Sequence, residues 1–112
     1  MKVDYLDCCS DPDLESRKVL LDTNRESESL DQCKTCGAYW FHRFLEIIKS
    51  EGPEDQIVWY SPVTEKEARR ILDAEGRPDL SFLLTRPSFQ EDDRGVYQVP
   101  GQPDKPCYVR DK

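Results

Sequence analysis

The sequence predicts an α+β fold, a small antiparallel sheet carrying one or two short helices, on three observations. Short runs rich in aromatic and β-branched residues, Ala38–Lys49, Ile57–Tyr60 and Val96–Val99, are separated by Gly, Pro and Asp turn signals. Helical spacing with start and stop signals is plain over one segment, Thr64 to Gly76. The length of 112 residues suits a single domain, residues 1–112, with one modest core.

The elements follow in chain order. The pair Cys8-Cys9 precedes Ser10-Asp11-Pro12-Asp13, a turn signature in which short polar side chains bond the backbone and Pro presets φ. Arg17–Thr23 reads as a strand, with Val19 and Leu21 on one face and Leu20 on the other. The polar stretch Asn24–Ser29 reads as a turn or loop that returns the chain to Cys33-Lys34-Thr35-Cys36-Gly37. Ala38–Lys49 fits two patterns. Alternation groups Tyr39, Phe41, Leu45 and Ile47, with Arg43 as the exception, whereas a helix would group Trp40, Phe41, Phe44, Leu45 and Ile48. Aromatic and β-branched enrichment straight after a cysteine turn favours the strand.

Gly52-Pro53 breaks the chain before the next strand, Ile57–Tyr60, and Trp40 and Trp59 become core residues and candidate cross-strand neighbours. Thr64 and Glu67 have capping-box spacing, Ala68, Ile71 and Leu72 form an apolar stripe, and Gly76 is placed to stop the helix. After Pro78, Asp79–Thr85 predicts a second short helical turn carrying Leu80, Phe82, Leu83 and Leu84, which Pro87 ends. Asp93-Arg94-Gly95 predicts a turn before the last strand, Val96–Val99. Residues 100–112, with Pro100, Pro103 and Pro106, predict an extended tail. Within the one domain this separates a cysteine-bearing part, 1–40, from an α+β core, 41–99.

Composition narrows the function classes. Charged residues make up 35% and the net charge is −7, which disfavours direct nucleic-acid binding, since that needs a basic surface to displace counterions. Acidity suits a basic protein partner or simple solubility. The opening residues hold no apolar run, and the cluster Ala38–Ile48 is too short and too charged to span a bilayer. The expected address is therefore cytoplasmic, away from membranes, where stable disulfides are uncommon. Five cysteines, an odd number, suit four metal ligands and one spare better than a disulfide framework.

Zinc takes soft, deprotonated ligands in a tetrahedron, and a Cys-x-x-Cys turn aims two sulfurs at one point. Cys33 and Cys36 have that spacing, and Gly37 stands where such a turn needs positive φ. Cys8 and Cys9 are placed to supply two more ligands across a hairpin, giving a zinc-clipped N-terminal hairpin. Adjacent side chains of an extended chain point apart, so both can reach one ion only where the backbone bends. Cys107, His42 or an acidic side chain are the alternatives for the fourth ligand.

On these residues the stretch Cys8–Trp40 resembles a zinc ribbon or zinc knuckle, with Cys33-x-x-Cys36-Gly37 as the specific motif. It departs from the ribbon pattern in having an adjacent cysteine pair where ribbons carry a second Cys-x-x-Cys. Plain buried thiols, a thioredoxin-like dithiol at Cys33 and Cys36, and a vicinal Cys8–Cys9 disulfide are the other readings of these residues.

His42 is the single histidine, and no His-x-x-x-His pair, nucleophile elbow, phosphate loop or dinucleotide glycine pattern occurs. Zinc closed by four thiolates offers no position to water, so the expected ion is structural and the chain is not an enzyme. The function expected is an acidic protein-binding module. Its proposed contacts are Glu91, Asp92 and Asp93 first, then Glu51, Glu54 and Asp55, all beside turn signals. In size, acidity and lack of catalytic motifs the chain resembles small bacterial immunity proteins, which implies an inhibitor of a toxin with a basic site. The zinc-ribbon resemblance implies the alternative, an accessory subunit of a nucleic-acid or protein-modifying complex. A thiol redox protein is the third reading.

Overall fold

The computed structural model describes residues 1–47 and 55–102. Among these, six strands form one antiparallel sheet in simple chain order: β1 Leu14–Asp22, β2 Glu26–Cys33, β3 Tyr39–Ile47, β4 Asp55–Val63, β5 Ser88–Asp92 and β6 Gly95–Val99. One α-helix, α1 Glu65–Asp73, and a single 3-10 turn, Ser81–Leu84, lie between β4 and β5. The protein is thus mostly β, an antiparallel sheet with one helix. The sheet continues through residue 40 without interruption.

Both faces of the sheet are covered, and the two coverings differ. The β2–β3 and β3–β4 ladders run without a register shift, so alternation assigns the side chains to faces. Leu30 opposes Phe41, and the two join Val63, Leu83 and, from α1, Ala68 and Ile71 in a cluster between the sheet and the helix. Leu14, Cys33, Trp40 and Tyr60 gather on the other face, where Val3 and Leu6 of the N-terminal segment cover them. A strand buried on both faces reads as a continuous apolar run, which is why consecutive Trp40 and Phe41 are both buried and why helix and strand patterns competed there. Tyr39–Ile47 is strand; residues 48 and 49 lie outside the described residues.

Several elements differ from expectation. The supposed loop Asn24–Ser29 is largely strand: β2 begins at Glu26, and the turn is closed by Thr23, whose amide and hydroxyl both donate to the Glu26 carbonyl. Strand β1 starts earlier than predicted and carries two register shifts, Ser16/Lys18 and Val19/Leu21. These bulges put Val19 and Leu21 opposite adjacent residues, Ser29 and Glu28, hence on opposite faces. Val19 is 58% exposed, while Leu20 packs under α1. Trp40 opposes Pro62 and Trp59 opposes Arg43, three positions along, so the tryptophans lie on opposite faces and are not neighbours. Strand β5 was not foreseen. It pairs β4 over only Val58–Tyr60, and most of its residues are polar.

Helix α1 starts as its capping box predicts. Thr64 Oγ1 accepts from the Glu67 amide at 3.1 Å, and Glu67 Oε1 accepts from the Thr64 amide at 2.9 Å. Arg86 grips the same carboxylate with both terminal nitrogens, at 2.9 and 2.7 Å, and with the Thr64 contacts holds its pKa down to about 2. The helix ends at Asp73, before Gly76, which turns the chain at φ 80. Lys18 Nζ donates to the carbonyls of Ile71, Leu72 and Ala74, so a β1 side chain closes the helix C-terminus. Thr64→Ala should cost about 1 kcal/mol in urea unfolding at neutral pH, through the loss of one cap bond; an unchanged midpoint would mean that Glu67 and Arg86 hold the first turn unaided. No helix among the described residues is long and apolar enough to cross a membrane.

Candidate metal centre

Four cysteines meet where the N-terminal segment crosses the β2–β3 turn. Cys33 is the last residue of β2, and Cys36 sits in the turn that follows. The turn closes with Gly37 N–H donating to the Cys33 carbonyl and Cys33 N–H donating to the Ala38 carbonyl, both at 2.8 Å. Gly37 has φ 86, a left-handed conformation that a side chain would resist.

The N-terminal segment is pinned onto this turn by hydrogen bonds to two of its carbonyls. Lys34 N–H donates to the Asp13 carbonyl and Thr35 Oγ1 to the Asp11 carbonyl, each at 2.7 Å. The segment closes on itself through Val3 N–H to the Pro12 carbonyl and Leu14 N–H to the Met1 carbonyl. Between these ties the backbone bends at residues 8–11, which resolves the difficulty of two adjacent ligands: the bend brings Cys8 and Cys9 to the same point.

All four sulfurs lie within 4.8 Å of one another. Cys9 Sγ is 3.8 Å from Cys33 Sγ and 4.0 Å from Cys8 Sγ. A tetrahedron of thiolates with zinc–sulfur bonds of about 2.3 Å has edges of about 3.8 Å, so the cluster has the size of a four-thiolate site. Cys33 is buried, Cys8 and Cys9 are half-buried, and Cys36 is exposed. No other such group of cysteine, histidine and carboxylate side chains occurs among the described residues.

Electrostatics agree with the geometry. Burial pushes the Cys33 thiol up, but the amides of Asp13, Cys36 and Thr35 donate to its sulfur and, with the Cys36 thiol, bring it down to about 6. Burial pushes the Cys8 thiol up to about 12, against a nearby Trp40 indole that lowers it. The Asp11 amide lowers Cys9, yet burial and its hydrogen bonds with Cys36 and Cys33 raise it on balance. One ionised sulfur thus discourages its neighbours from ionising, and a bound dication removes that conflict. The Trp40 indole N–H is buried and makes no hydrogen bond of good geometry. Ionised Cys8 would give it an acceptor, since a metal-bound thiolate accepts such donors.

The remaining expected site residues scatter. His42 is not part of the cluster; it stands beside Ser29 with its ring 5.0 Å from that of Tyr60. Burial, partly offset by Asp31, lowers its pKa. Cys107, Glu51 and Glu54 lie outside the described residues, and Asp55 opens β4. Glu91 and Asp92 belong to β5 and not to a turn. Glu91 accepts from Tyr5 OH at 3.0 Å, and Asp92 is engaged by Gln90, the Arg94 amide and Tyr97 OH. Asp93, in the β5–β6 turn, is exposed.

The dithiol alternative meets a different context. A thioredoxin-like turn opens a helix, whereas Cys33–Gly37 joins two strands. Trp40, expected as a core residue and a candidate neighbour of Trp59, is core but stands beside Cys8 instead; its position just after the cysteine turn was the available signal. No protein-family model, curated protein or solved structure matches this chain.

Proposed function

We propose that the chain is a non-catalytic, acidic protein-binding module whose β1–β2 hairpin is clipped by one structural zinc ion on Cys8, Cys9, Cys33 and Cys36. The observation that carries this reading is the set of four sulfurs within 4.8 Å of one another. Four thiolates saturate a tetrahedral ion, leaving no position at which water could be activated, so the ion supplies rigidity and not chemistry. Tetrahedral sulfur sets suit zinc or iron, and the mass of the bound ion separates the two.

The binding role rests on charge. The chain carries −7, and four zinc-bound thiolates with their ion take it to about −9. A basic protein fits such a surface, in the sharpest form a toxin whose basic site an immunity protein occupies in the cytoplasm. The Cys-x-x-Cys-Gly turn, with its glycine in the left-handed region, also supports the accessory-subunit reading. The two differ in consequence: an inhibitor blocks its partner's activity stoichiometrically, and a subunit raises or localises it.

The test is kinetic. A partner captured from the native cell and identified by mass spectrometry should associate quickly, and its on-rate should fall at least tenfold from about 0.05 M to about 0.5 M salt. Reversing Glu91 and Asp93 together to lysine should lower the on-rate and leave the fold intact, because Asp93 is exposed and Glu91 makes one surface hydrogen bond. An acidic partner, or an association indifferent to salt, would remove charge complementarity as the basis of binding.

A further inference from the structure

We infer that the pocket beside the metal centre receives an arginine side chain of a partner protein. This inference rests on the reading of the chain as a binding module and names the surface it would use. The pocket measures about 410 Å³ and lies between the cysteine turn, the start of β3 and the junction of β4 with α1. Tyr39, Trp40, Pro62 and Val63 give it apolar walls, and Asp7 and Glu65 bring carboxylates to it.

Charge complementarity selects the occupant. Two lining residues are carboxylates and none is lysine or arginine. Asp7 and Glu65 are both exposed, so both can reach a guest without breaking the core. Glu65 is engaged by Arg69 at 2.9 Å, an exposed pair that water screens and a guest can displace at little cost. The Gln32 amide is turned to the Gly37 carbonyl and to Arg17 and so fixes the wall. A guanidinium suits this arrangement better than an ammonium. It is planar, it stacks on aromatic faces, it is weakly hydrated, and it offers a fork of donors to a carboxylate. Its aliphatic stem would lie along Pro62 and Val63.

The metal centre and the pocket share a wall. Cys8, Gly37 and Ala38 line the pocket and belong to or border the cysteine turn, so a filled metal site would hold one side of the pocket in place.

The probe is a short capped peptide, acetyl-Gly-Arg-Gly-amide, titrated into the ¹⁵N-labelled full chain whose zinc content has been measured. The control replaces arginine by citrulline, which has the same shape and no charge. The expected result is a set of shifts confined to Gly37, Ala38, Tyr39, Glu65 and the Trp40 indole. The affinity should fall about tenfold for the citrulline peptide, and about tenfold for the arginine peptide with Asp7→Asn/Glu65→Gln, a pair of surface changes that leave the fold intact. Equal affinity for both peptides, shifts at Glu91–Asp93 in place of the pocket, or a second copy of the chain covering the pocket would each overturn the inference. A zinc-loaded, folded chain that shows no shifts overturns the inference and leaves the metal reading standing. Pocket shifts in a folded chain that takes up no metal support the inference and overturn the metal reading.

Discussion

Native mass spectrometry should find one zinc ion per chain, and Cys33→Ser or Cys36→Ser should each abolish it at equimolar zinc. The effect is expected to be large, because structural zinc sites carry apparent binding free energies of about 10–16 kcal/mol in small domains, and that energy is available to folding. Cys33 is 1% exposed and packs with Val3, Leu6, Leu14 and Trp40. Losing its sulfur therefore removes a ligand and disturbs the core on that face. Chelation should loosen one side of the sheet before the other. Residues 1–13 are held by the cysteine crossing, a few backbone bonds and the burial of Val3 and Leu6 beside Cys33, whereas Leu30 and Phe41 pack against Ala68 and Ile71 of α1 in a cluster that holds no cysteine. Hydrogen exchange should accelerate first over residues 1–13 and 33–38 and later elsewhere. Zinc affinity should fall with falling pH, since protons compete for the thiolates. Cys9→Ser tests the adjacent pair: full zinc retention there would move the fourth ligand to another residue, Cys107 among them. A chain that stays fully folded with sub-stoichiometric metal would sink the clip altogether.

What could be read from the sequence follows from which signals are local. The capping box at Thr64 and Glu67 is a three-residue device, and it stands in the structure as predicted. The Cys33–Gly37 turn is equally local, and its glycine has the expected positive φ. The meeting of Cys8 and Cys9 with that turn is not local. It depends on a bend at residues 8–11 and on ties from Lys34 and Thr35 to Asp13 and Asp11, none of which a spacing rule contains. Strand β2 was misread because Glu26, Ser27, Glu28 and Ser29 carry no apolar alternation, and its inward position is filled by Glu28. Strand β5 was missed for a related reason. Gln90 and Asp92 are fixed by one another and by Trp59 and Tyr97, so polar bonds take the place of an apolar face.

The same Glu28 sets up the second large effect: Glu28→Gln should cost about 3–5 kcal/mol at neutral pH, in urea unfolding. The residue is 1% exposed and faces Arg43, itself buried, across the β2–β3 ladder. Arg43 Nε and Nη2 donate to Glu28 Oε2 at 3.0 and 2.7 Å, and Arg77 reaches in from beyond α1 to both oxygens at 2.6 and 3.1 Å. This explains the one charged position in the otherwise apolar row of β3, where Arg43 interrupts Tyr39, Phe41 and Leu45. The amide of glutamine keeps the shape but loses the charge, so the buried guanidinium of Arg43 loses its Glu28 counter-ion and one donor pair faces an NH₂ group. The pH dependence has a definite sign. Burial would raise the Glu28 carboxyl, yet the Arg77 and Arg43 guanidiniums outweigh burial and hold it below its ordinary value. A carboxylate lowered by folding contributes stability that is complete above the unfolded value of about 4.3 and is lost as the pH falls through it toward the folded value. The gap between wild type and Glu28→Gln should therefore be widest at neutral pH and should narrow below about pH 4.3, where the carboxyl of the unfolded chain takes up a proton before that of the folded chain does. A gap that is small at neutral pH, or that does not change on acidification, would show that the cluster sets the register of β2 against β3 without stabilising the fold.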